Sequence, residues 1–70
     1  VTRKEARRLG RFVGEWMPHF LDKSMRACLA LDIDRKIFLD MPHYGDDEKL
    51  TVKGEYWEAY ERNRPREGEQ

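Results

Sequence analysis

Hydrophobic positions along the chain follow two different periods. In the first stretch, Ala6, Leu9, Val13, Trp16 and Phe20 recur at steps of three and four, the period of a helix buried on one side. On a wheel of about 100° per residue, Leu9, Phe12, Val13, Trp16 and Met17 share one arc. Arg3, Lys4, Arg7, Arg8 and Arg11 occupy the opposite arc. Thr2 and Glu5 have capping-box spacing, in which the Thr oxygen accepts an early amide and the Glu reaches back to the cap. Pro18 disfavours the α conformation at Met17 and is expected to end or kink the helix there. Trp16 is expected in the core. Gly10 and Gly14, four apart beside the apolar arc, suggest close approach by another element. A strand or loop is preferred to a partner helix, because Gly-xxx-Gly is diagnostic only in apolar membrane helices.

The second stretch, "ACLALDIDRKIFLDMP", alternates. A three-residue loop at Asp34-Arg35-Lys36 would set Ile33 opposite Ile37, Leu31 opposite Leu39 and Leu29 opposite Met41, with all six on one face. Leu31 is then a core residue. The loop lacks the glycine that such turns favour. A helical reading of residues 24–33, capped by Ser24, stays open. "LTVKGEYW" continues the inner face as a third strand, with Gly54 at a bulge. Residues 55–61 read either as more strand or as a short helix. The expected fold is α+β: one amphipathic helix on a three-stranded antiparallel meander over residues 1–61. Residues 62–70 are expected to form a mobile charged tail. Phe38 and Trp57 would lie on the sheet face away from the helix, where uncovered aromatics mark a binding surface.

Length and charge narrow the function. Seventy residues make one domain with a small core and no room for a deep cleft. Net charge is zero, yet residues 1–14 are basic and residues 46–61 acidic. Such asymmetry speaks of partners or self-association rather than of fold. One cysteine, Cys28, excludes a disulfide framework and fits a reducing, cytoplasmic setting. No apolar run reaches the roughly 20 residues that span a bilayer, and the basic start has no apolar segment behind it to make a secretory signal.

"MPHF" at 17–20 and "MPHY" at 41–44 are the one repeated motif. With Cys28 they supply Met17, His19, Met41 and His43, soft ligands of the kind that hold Cu(I). Their spacing matches no metal motif, and both prolines read better as the ends of elements whose last apolar residue is methionine. No metal or cofactor is expected. Cys28 with either histidine would make a dyad only if the fold joined them; a cysteine in an apolar strand is usually a small buried hydrophobe. "HYGDDEKLT" lacks calcium-loop spacing, and no phosphate-binding glycine loop is present. The chain reads as a non-enzyme. The expected function is a small protein-binding module that docks on a larger protein or nucleoprotein machine and modulates it, most readily by inhibition. Phage and mobile-element genomes use chains of this size against host transcription or defence enzymes. The expected contact residues are Arg3, Lys4, Arg7, Arg8, Arg11, Phe38 and Trp57. Nucleic-acid binding through the basic face is the second reading, weakened by zero net charge and by the lack of Asn or Gln in residues 1–20. A homo-oligomer stays open, and no membrane partner is expected.

Overall fold

The computed structural model describes residues 1–17 and 22–64. Helix α1 spans Arg3–Glu15, α2 spans Lys23–Leu39 and α3 spans Asp46–Asn63. Among the described residues there is no strand, so the expected three-stranded meander is absent and the fold is all-helical.

Each helix starts where its sequence supplies a start. Thr2 caps α1: its Oγ1 accepts from the Glu5 amide at 3.1 Å and donates to Glu5 Oε1 at 3.2 Å. Asp22, rather than Ser24, caps α2, with Oδ1 accepting from the Met25 amide at 2.8 Å. Gly45 precedes α3 without a side-chain cap, and Asp46, Asp47 and Glu48 fill the first turn, where carboxylates complement the helix dipole. The last turn of α1 is capped by the Trp16 amide donating to Phe12 O at 2.8 Å, just before the expected stop at Pro18. Pro18 itself lies outside the described residues, as do His19 and residues 65–70 of the expected tail. Arg62 and Asn63 belong to α3.

The correction in the middle of the chain has a clear cause. Leu29, Leu31 and Ile33 satisfy a period of two, but Ala30, Ile33, Ile37 and Met41 satisfy a helical one, and these face inward. Ala30, Ile37 and Met41 are buried and Ile33 is partly so, whereas Leu31 is 50% exposed. From Lys23 to Leu39 there is no Gly, Pro, Val or Thr to favour a turn or a strand, and Ala, Leu, Met, Lys and Arg dominate. Cys28 is exposed rather than buried. Trp16, expected in the core, is 52% exposed. In the third stretch, Val52, Tyr56 and Tyr60 are buried at steps of four, a helical ladder in place of the expected strand. Gly54 is an exposed helical position rather than a bulge.

The helices run up, down and up. Arg3 and Arg7 meet Glu55, while Gly10 and Gly14 meet residues 56–64, so α1 and α3 are parallel. Along α2, Ala30 meets Tyr56, Asp34 meets Lys53 and Trp57, and Phe38 meets Lys49, so α2 is antiparallel to α3. Gly10 and Gly14 make the α1–α3 approach close. A Cβ at residue 14 would stand 2.7 Å from the Tyr60 carbonyl oxygen, and one at residue 10 would stand 3.0 Å from both Ala59 Cβ and Tyr60 N. The close neighbour is therefore the chain's own third helix, not a strand or loop.

Ala6, Ile37, Met41, Val52 and Tyr56 form one buried cluster, and Val13, Ala30 and Tyr60 a second. Ile33 and Trp57 pack against both and join them. The Trp57 ring meets Tyr56 and Tyr60 edge-on at 5.1 and 5.4 Å. Three polar contacts among the described residues hold α2 to α3. Tyr56 Oη donates to Ala30 O at 3.0 Å, and Asp34 accepts from Trp57 Nε1 at 2.8 Å and from Lys53 Nζ at 3.1 Å.

Candidate functional site

Parallel packing of a basic helix on an acidic one turns the charge asymmetry of the sequence inward. Glu55 of α3 accepts from Arg3 Nη2 at 2.7 Å and from Arg7 Nε at 3.1 Å. The Arg3 hydrogen bond, aided by the Arg7 and Arg3 charges and opposed by partial burial, holds the Glu55 carboxyl below the usual glutamate range. Arg11 pairs with Glu15 on its own helix at 3.1 Å, and Arg62 with Glu58 at 2.7 Å. Three of the five basic residues singled out in the sequence thus hold intramolecular pairs. No ion pair forms at Lys4 or Arg8 among the described residues.

These side chains line one groove. Its α1 wall is Lys4, Arg7, Arg8 and Arg11, and its α3 wall includes Glu55, Glu58, Arg62 and Asn63. Five cations face two carboxylates, leaving the groove positive inside a neutral chain. Ala59 forms part of its floor, where the helices come close. Arg62, placed by the reading of the sequence in a tail, joins the groove because α3 runs to Asn63. Its spacing of four from Glu58 is the signal that finds it. Arg3 lies at the α1 end beside Glu55 and outside the groove lining.

Phe38 and Trp57 lie elsewhere. Both belong to the α2–α3 seam, and on α3 the residues of that seam, Lys53 and Trp57, occupy a different side from Glu55, Glu58 and Arg62. Trp57 is half-buried and spends its one donor on Asp34. Phe38 is 45% exposed, with Lys49 Nζ 4.3 Å and Lys53 Nζ 5.5 Å from its ring centroid. The expected contact residues therefore divide into a basic groove and a separate aromatic seam.

Among the described residues no group of three or more His, Cys, Asp or Glu side chains is placed to hold a metal ion. Met41 is buried in the core and His43 is exposed beyond it, while pairing of His43 with His19 concerns a residue outside the described ones. No helix of the described residues is long and apolar enough to cross a membrane. Comparison with known proteins finds no protein-family model that matches the chain, no curated protein similar to it in sequence and no solved structure similar to it in fold.

Proposed function

We propose that this chain is a small non-enzymatic binding module that docks a net-acidic segment of a larger protein along the α1–α3 groove and thereby modulates the assembly carrying that segment. The observation that carries the reading is the pair Lys4 and Arg8, cations that line the groove without an ion pair among the described residues. Around them Arg7, Arg11 and Arg62 add charge but already hold carboxylates. A partner gains most by bringing its own carboxylates to the unpaired cations.

Glu55 and Glu58 favour protein over nucleic acid as the occupant. Both lie within the groove, where they repel a phosphate backbone and accept amide or guanidinium donors from a mixed-charge peptide. The test is a fluorescence titration of the chain with a glutamate-rich peptide, and with duplex DNA and single-stranded RNA, at several salt concentrations. The expected result is peptide binding weakened about tenfold or more by Lys4→Glu with Arg8→Glu, with helicity unchanged and nucleic acid unbound at physiological salt. Tight nucleic-acid binding with a steep salt slope would replace this reading with the phosphate-binding one.

A further inference from the structure

Helix α1 carries unpaired cations and open aromatics on a single ridge. Lys4, Arg8, Phe12 and Trp16 follow at steps of four, the spacing of one ridge on a helix surface. The helical rise per residue makes this ridge about 18 Å long. Its first half is cationic: Lys4 and Arg8 line the α1–α3 groove and hold no ion pair among the described residues. Its second half is apolar: Phe12 is 45% exposed and Trp16 52%. Arg8 joins the halves. It lines the groove on one side and, with Glu5, Leu9 and Phe12, an open hollow of about 370 Å³ on the other. Two carboxylates flank the ridge, and both are engaged: Glu5 accepts from the Thr2 hydroxyl at 3.2 Å and Glu15 from Arg11 at 3.1 Å. The open hydrophobic residues Leu31, Phe38 and Leu39 belong to α2, away from these cations.

We infer that the segment docked in the groove is an acidic amphipathic helix, with carboxylates on Lys4 and Arg8 and large apolar side chains on Phe12 and Trp16. The inference rests on the groove reading and specifies its occupant. Magnitude argues for the apolar half. An ion pair between exposed side chains strengthens binding by at most about fivefold, so two of them alone make a weak complex. Covering an open aromatic or leucine-sized side chain adds roughly ten- to a hundredfold. The apolar surface that continues from Arg8 is that of Phe12 and Trp16. Charge fixes the other half: Lys4 and Arg8 lack carboxylates of their own, and the groove they line is positive. The helical form follows from α1 itself. A helix offers no strand edge, so the covering segment has to satisfy its own backbone hydrogen bonds. Positions i and i+4 of a second helix also repeat at the same step of about 6 Å as the ridge. The occupant therefore carries Asp or Glu at two positions four apart, and leucine, isoleucine or phenylalanine at the next two positions of that series. Acidic residues in its N-terminal half suit its own dipole as well.

The experiment is a fluorescence-anisotropy titration of the full chain with two labelled helical peptides of equal charge. Both carry glutamate at two positions four apart. One carries leucine, the other alanine, at the next two positions of the series. The expected result is that the leucine peptide binds at least about tenfold tighter. Phe12→Ala, with helicity unchanged, should abolish that ratio, and Phe12→Gln serves as a second variant with the same expected loss. Lys4→Glu with Arg8→Glu should weaken both peptides, and added salt should weaken both while leaving their ratio standing. Equal affinity for the two peptides overturns the inference and leaves the groove reading intact. A ratio that survives in the Phe12 variants overturns it too, as does one lost in Leu31→Ala instead, which would put the apolar contact on α2. Binding of neither peptide overturns the groove reading and this inference together.

Discussion

Gly10 packs directly against the carbonyl oxygen of Tyr56, so closely that any side chain at position 10 would overlap the backbone of α3. This contact explains why a charged helix carries two glycines that each cost about 1 kcal/mol against alanine. It brings the basic and acidic helices within reach of their ion pairs and sets the width of the groove between them.

Glycine substitutions should therefore separate by position. Gly10→Ala and Gly14→Ala press on backbone that cannot swing away, and each should cost about 2–4 kcal/mol by thermal or denaturant unfolding. Gly54→Ala meets nothing within 4 Å and should stabilise the chain by about 0.5–1 kcal/mol, raising the melting temperature by several degrees. If Gly54→Ala destabilised instead, the helical assignment of α3 would be wrong there.

Leu31 and Ile37 should respond oppositely to a carboxylate. Leu31→Asp, on the open side of α2, should change the stability of the dilute chain by no more than about 1 kcal/mol. Ile37→Asp buries an unpaired charge in the core and should cost several kcal/mol, enough to unfold a domain this small. Far-ultraviolet circular dichroism with urea titration reads both. A strand register would have made Leu31→Asp the disruptive change.

Tyr56 predicts the alkaline behaviour. Burial first, and then the charges of Tyr60 and Asp34, push its phenol well above the usual tyrosine range. Below about pH 10 both the folded and the unfolded chain keep this proton. Above it the unfolded chain releases the proton and the folded one does not, so stability falls as pH rises through that window. Tyr56→Phe should flatten this alkaline loss in pH-dependent unfolding. It should also cost about 1 kcal/mol at neutral pH through the lost bond to Ala30.

Glu55 predicts the acid behaviour with the opposite sign. Its carboxyl is held low in the folded chain, chiefly by Arg3, so its contribution is present above the ordinary glutamate pKa and is lost as pH falls through the folded value. Glu55→Gln should reduce the acid dependence of stability, read by urea unfolding across the acid range.

How much of this was legible in the sequence differs by helix. For α1 the Thr2 cap and the basic face were readable, but the apolar arc was not: Phe12 and Trp16 are exposed, and the buried side of the helix is Ala6, Gly10, Val13 and Gly14. For α2 the apolar pattern pointed to the wrong element. Leu29, Leu31 and Ile33 imitate a strand because Leu31 is apolar and yet points outward, and no local rule reveals that a large hydrophobic residue is exposed. The missing glycine in the supposed Asp34–Lys36 loop was the discriminating signal, together with a composition rich in helix formers. The groove was half visible. Its α1 cations stood out as one face, but Glu55, Glu58 and Arg62 joined them only through the parallel return of α3, a long-range relationship that periodicity does not encode.

The most direct test of the groove as the docking surface is to map amide chemical shifts on titration with a glutamate-rich peptide. The account predicts shifts concentrated at Lys4, Arg7, Arg8 and Arg11 of α1 and at Glu58, Arg62 and Asn63 of α3, with α2 unaffected. Shifts centred instead on Leu31 and Phe38, with the α1–α3 groove silent, would contradict it.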